Sequence, residues 1–157
     1  MKSGLVLMSV LILMFSVSCY AQKQEEVKTD SVVWLNTIEE AINQGDNVRG
    51  ILVNFTGSDW CGWCTKLREE VFSQDEFIQY AKENLNLVML NYPKYIQQSQ
   101  ETINYNRAKL GEFNIRGFPT ILILDASGKE ITKTGYVPGG AQNYVNHLEN
   151  ILIRSGN

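Results

Sequence analysis

Cysteine and histidine are scarce in this chain, with 3 Cys and 1 His among 157 residues. Together they number only four, so a closed zinc site without carboxylates would have to use every one of them. An excess of basic charge is missing as well. Fourteen Lys and Arg face seventeen Asp and Glu, a formal charge of −3, so nothing stands ready to neutralise a phosphate backbone. Nucleic acid is excluded as a partner class on that ground. Proline is rare (3), and the 12 glycines follow no period, which excludes collagen-like and low-complexity chains. What is present is 44% hydrophobic and 20% charged residues, at a length suited to one packed globular domain.

The first segment reads as an address. Met1-Lys2 supplies a positive start, Leu5 to Phe15 is apolar except for Ser9, and Ser16-Val17-Ser18-Cys19-Tyr20-Ala21 precedes a polar stretch. That succession describes a secretory signal peptide over residues 1–21, cleaved after Ala21. The apolar run is shorter than the roughly 20 residues of a membrane-spanning helix. A rival reading makes Cys19 the lipid-bearing first residue of a bacterial lipoprotein, although Ser16 replaces the branched apolar residue usual there. Residues 22–30 form a polar, flexible leader, and residues 31–157 the folded domain. Either reading places the domain in a compartment where disulfides persist, with only Cys61 and Cys64 left inside it.

Apolar spacing outlines the domain. Trp34, Leu35, Ile38, Ala41 and Ile42 share a helical face from Ser31 onward, and Gly45 can end that helix. Ile51 to Phe55 reads as a buried strand, followed by a loop with Gly57 and a helix that starts at the cysteines. Ser73 with Glu76 forms a capping pattern for a short helix reaching Ala81. Leu87 to Leu90 is a second strand. Residues 96–110 suit an exposed, poorly packed helix. Thr120 to Leu124, apolar after its first residue, is a central strand, and Asp125 to Lys129 is a turn that returns residues 130–135 antiparallel. Ala141, Tyr144, Val145, Leu148, Ile151 and Leu152 line one face of a final helix. The order αβαβαββα, with the first two strands parallel, gives an α/β fold: one sheet with helices on both faces.

Chemistry concentrates at Trp60-Cys61-Gly62-Trp63-Cys64. A Cys-x-x-Cys pair closes a small disulfide ring without pulling distant segments together. Where a strand feeds a helix, the first cysteine meets unpaired N–H groups and the positive end of the helix dipole. Both favour a thiolate, so Cys61 is expected to be the low-pKa, accessible nucleophile and Cys64 the buried resolving thiol. Competing readings are an inert structural disulfide and a zinc knuckle. His147 in the last helix is the single His and reads as solvated beside an apolar face.

Three segments together resemble the thioredoxin superfamily: Ile51-Leu52-Val53-Asn54-Phe55, the Trp-Cys-Gly-Trp-Cys motif with Lys66, and Arg116-Gly117-Phe118-Pro119-Thr120 ahead of an apolar strand. The longer string from Phe55 to Cys64 and the segment Gly135-Tyr136-Val137-Pro138-Gly139-Gly140 are similar to exported bacterial thioredoxin-like proteins. The resemblance spans about residues 31–153. It implies a thioredoxin fold with a central mixed four-stranded sheet flanked by helices. It also implies a cis Phe118–Pro119 bond facing the cysteines, where Phe118 offers backbone groups to an extended substrate peptide. Trp60 and Trp63 then serve as packing residues or as an apolar landing surface, and Gly62 and Trp63 hold positions that tune the redox potential. The superfamily's buried Asp is replaced by Asn54, which leaves Asp59, Lys66 and Glu69 as candidates for moving the proton of Cys64.

The expected function is an extracytoplasmic thiol–disulfide oxidoreductase acting on protein substrates, periplasmic or secreted and monomeric. It needs no bound cofactor or metal, but requires a redox partner to regenerate the cysteine pair. The alternative is a non-catalytic thioredoxin-fold binding module whose disulfide stays closed. The ending Arg154-Ser155-Gly156-Asn157 is not an endoplasmic-reticulum retention signal, which favours a bacterial envelope.

Overall fold

The computed structural model describes residues 31–45 and 48–156; the expected signal peptide 1–21 with Cys19, and the expected leader 22–30, lie outside the described residues. Five strands form one mixed sheet in the order β1-β3-β2-β4-β5. The strands are β1 Trp34–Leu35, β2 Gly50–Thr56, β3 Leu85–Asn91, β4 Thr120–Leu124 and β5 Glu130–Thr134. Strands β2 and β3 run parallel from Gly50↔Leu85 to Thr56↔Asn91, while β4 lies antiparallel to β2 and β5 antiparallel to β4. All seven residues of β2 are buried, which makes it the spine of the molecule.

The start of the domain differs from expectation, and the sheet therefore has five strands rather than four. Trp34 and Leu35 form no part of a helix; they pair in parallel with Leu87 and Val88 of β3. Their side chains go to opposite faces of the sheet, Trp34 against Phe72 (ring centroids 5.2 Å apart) and Leu35 into the cluster around Ile38. Adjacent residues on opposite faces are a strand's period of two. The helix begins only at α1 Ile38–Asn43, because Thr37 caps it with a reciprocal capping box: Glu40 N donates to Thr37 Oγ1 and Thr37 N to the Glu40 carboxylate. Gly45 follows with φ of +94° and ends it.

One face of the sheet carries α2 Gly62–Leu67, a π-helical turn Arg68–Phe72, α3 Asp75–Asn84 and α5 Gly140–Ser155, packed on Leu52, Leu87, Ile121 and Ile123. The opposite face holds α1 and α4 Gln100–Glu112 over Ile51, Val53, Phe55 and Val88. The expected Ser73–Glu76 cap is absent. Ser73 ends the π-turn, its N–H bonded to Arg68 O, and α3 starts after Gln74 without a side-chain cap. Helix α4 starts four residues later than expected, capped by Ser99, and buries Asn106 alone. His147 of α5 is partly exposed, and its Nε2 lies 2.9 Å from Thr134 Oγ1. Among the described residues no helix is long and apolar enough to cross a membrane.

Candidate active site

Strand β2 delivers the chain at Thr56 into the loop that leads to the cysteines. Asn91, at the end of the neighbouring β3, clamps this loop twice: Ser58 N donates to Asn91 Oδ1 (3.0 Å) and Asn91 Nδ2 to Ser58 Oγ (2.8 Å). A Cβ at Gly57 would sit 2.5 Å from the Trp60 ring, so a larger residue there would displace the indole. The indole folds back over that backbone and donates to Tyr92 O at 2.8 Å.

Cys61 is the N-cap of α2, and Cys64 N donates to its Sγ at 3.2 Å. A sulfur accepting a backbone N–H at a helix start is held where negative charge is favoured. The two sulfurs are joined as a disulfide, with Cα atoms 5.2 Å apart. Both residues are nearly covered, Cys61 8% and Cys64 5% exposed. Cys61 is thus less open than the sequence suggests; its N–H is bonded to Gly57 O at 3.0 Å.

Around this pair the exposed surface is aromatic. Trp60 is 41% exposed and meets Phe118 edge-on at 5.9 Å; Phe118 in turn stacks on Tyr92 at 4.9 Å. The Phe118–Pro119 peptide bond is cis. The register Phe55↔Thr120 brings this turn to the same edge of the sheet as the cysteine loop. Trp63 is 59% exposed and packs on Tyr136 at 5.4 Å, with Lys66 Nζ over both rings. Nothing within 4 Å would meet a Cβ at Gly62, which leaves the outer surface of the motif open.

The three groups suggested as proton carriers for Cys64 do something else. Asp59 accepts the backbone N–H groups of Lys94, Tyr95 and Ile96 at 2.9, 2.7 and 3.2 Å. Desolvation pulls its pKa upward, but those donors together outweigh it and hold the carboxyl below its ordinary value. Lys66 reaches Glu70 at 3.6 Å on the outer side of α2, and Glu69 pairs with Arg68 at 3.2 Å. None of the three lines the cavity of about 310 Å³ behind Cys64.

Sequence reasoning missed Tyr92, Asn91, Tyr136 and the strap of residues 93–98. The strap carries exposed Tyr95 and Ile96 and is fastened to the cysteine loop by Asp59. Its distance of some 35 residues from that loop leaves no local pattern to find. Among the described residues no group of three or more His, Cys, Asp or Glu side chains is placed to hold a metal ion.

A family model described as a thioredoxin-like domain matches residues 36–151. The chain belongs to the thioredoxin-like domain family. Its relatives include the disulfide bond reductase DsbH of Chlamydia pneumoniae, 28% identical over 131 residues that cover 83% of this chain and 79% of that protein. The thioredoxin-related protein DsbJ of the same organism is 32% identical over 71% of this chain, which spans only 32% of DsbJ. The solved structure of a DsbH oxidoreductase superimposes with a TM-score of 0.72 at 31% identity, covering 78% of this chain and 85% of that one. A thioredoxin from Thermus thermophilus shares the fold at a TM-score of 0.58 and 15% identity, covering 80% and 91%.

Proposed function

We propose that this thioredoxin-like chain is an exported thiol–disulfide oxidoreductase that reduces protein disulfides, with Cys61 as nucleophile and Cys64 as resolving thiol. The observation that carries the reading is the Cys61–Cys64 disulfide at the start of α2, with Cys61 Sγ already accepting a backbone N–H. The likeness to a protein named disulfide bond reductase, over most of both chains, supports the reducing direction. The signal-peptide pattern over residues 1–21 supports export.

In the reduced protein, the Cys61 thiolate attacks one sulfur of a substrate disulfide. An S–S bond forms to Cys61, the substrate bond breaks, and the departing substrate sulfur leaves as a thiolate that takes a proton. Cys64 then gives up its proton and attacks Cys61 Sγ. This closes the pair and releases the second substrate thiol. Two electrons have moved to the substrate, and a dithiol donor must restore them. Trp60, Trp63 and Gly62 form the surface on which the polypeptide lands. Phe118 presents its backbone to the polypeptide beside Pro119, which has no N–H of its own.

Insulin reduction by dithiothreitol tests this. The wild type accelerates it, and Cys61→Ser lowers the rate to that of the uncatalysed reaction. Equal rates for the two proteins would favour a binding module with a closed disulfide, a reading to which the near-complete cover of both cysteines lends some weight.

A further inference from the structure

Residue 54 stands near the middle of β2, a strand buried along its whole length, and is 5% exposed. Its side chain lies on the α2 face of the sheet, between Leu52 and Thr56, and lines the same cavity as Cys64, Thr56 and Thr65. Asn54 Oδ1 is shut off from water and has no hydrogen-bond partner; among the described residues it is the one buried side-chain oxygen or nitrogen in that condition. A buried carbonyl without a donor is costly, and native structures keep few of them. The hydroxyls of Thr56 and Thr65 border the cavity, yet neither serves it.

The oxidation state supplies a donor. In the disulfide, Cys64 Sγ carries no hydrogen. Reduction adds two electrons and two protons to the pair and turns Cys64 into a thiol, which gives the cavity that Asn54 and Cys64 both line a new S–H donor. We propose that Asn54 is a redox-tuning residue: its Oδ1 accepts the Cys64 thiol in the reduced protein and is left unpaired in the oxidised one. The energy difference between those two situations favours the reduced pair. Asn54 therefore makes this protein easier to reduce than it would be with an apolar residue at that position. This rests on the reading of Cys61–Cys64 as a working redox pair.

In the equilibrium with a dithiol, the donor's thiolate attacks Cys61 Sγ and the Cys61–Cys64 bond breaks. Cys64 leaves as a thiolate, and a proton from solvent makes it the thiol that Asn54 accepts. The donor's second sulfur then closes its own disulfide and frees Cys61. One dithiol is oxidised for each pair reduced.

The test is the redox equilibrium of the full mature protein with glutathione, wild type against Asn54→Leu, which keeps the branched shape and the number of heavy atoms and neither donates nor accepts. The variant is expected to shift toward the disulfide about tenfold, which is about 30 mV for two electrons. Its oxidised form should also gain thermal stability relative to its reduced form. A shift under twofold would overturn the proposal. If Asn54→Leu fails to fold, the reduced Cys61→Ser protein decides the matter. The infrared S–H stretch of Cys64 should lie below that of a free thiol, and an unshifted band refutes the hydrogen bond. A wild-type pair that excess dithiothreitol leaves intact would instead sink the oxidoreductase reading, so the two failures are told apart.

Discussion

At the scale of single residues, the loop Gly57-Ser58-Asp59-Trp60 decides what surrounds the cysteines. Asp59 was legible as an acidic group near the motif but not as a fastener, because the three N–H groups it accepts come from a segment far along the chain. Asp59→Asn removes the charge from that cradle, and the amides of residues 94–96 are expected to exchange hydrogen several-fold faster while those of β2 keep their protection. The pH dependence follows from the same contacts. Since the folded carboxyl titrates below its ordinary 3.8, its contribution is complete above that value and is lost as the pH falls through the lowered one. Residue 54 was legible only as a departure from the superfamily's acid. That its oxygen lacks a partner needed coordinates. Asn54→Asp puts an ionisable group into the cavity behind Cys64, where Arg68 is the charged side chain among the lining residues. The pH–rate profile of exchange should then gain an inflection, and an unchanged profile would place residue 54 away from Cys64.

At the scale of elements, periodicity found the strands and long helices and failed where two periods overlap. Residues 34, 35, 38, 41 and 42 fit a helical stripe, yet Thr37 and Glu40 set the helix start and leave Trp34–Leu35 to the sheet edge. The capping box was readable in principle, as a Thr followed by a Glu three residues on. Thr37→Ala is expected to cost about 1 kcal/mol in chemical denaturation. Helix α5 read clearly because its apolar face is uninterrupted, but its tie to the rest did not. Arg49 Nη1 bonds both oxygens of Glu149 at 2.8 and 2.7 Å, and Tyr80 donates to the same carboxylate at 2.8 Å. The Arg49 bond first, then Tyr80, holds Glu149 below its ordinary value of 4.5. About a third of each side chain in the ion pair is exposed, so solvent screens it. Glu149→Gln is expected to lower stability by about 0.5–1 kcal/mol at pH 7. The difference should shrink as the pH falls below about 4.5 through the lowered folded pKa, the range where the wild-type carboxylate itself becomes protonated.

At the scale of the whole molecule, the central strand β2 links the pieces. One face of it packs the helices that carry the cysteines, the other packs α1 and α4, and its end launches the loop that Asn91, Tyr92 and Phe118 hold in place. The parallel pairing of β2 with β3, the antiparallel return of β5 and the position of the pair were legible because strand runs, turn residues and the Cys-x-x-Cys spacing are local patterns. The aromatic wall and the strap were not, since they assemble from four separate stretches of chain. If the molecule is a reductant of protein disulfides, its cysteine pair has to hold electrons at a potential low enough to give them away. The reduction potential of Cys61–Cys64 in the intact mature protein tests that most directly. The account predicts a value near −270 mV, about that of thioredoxin, and a value near −120 mV, about that of a strong oxidant, would contradict it.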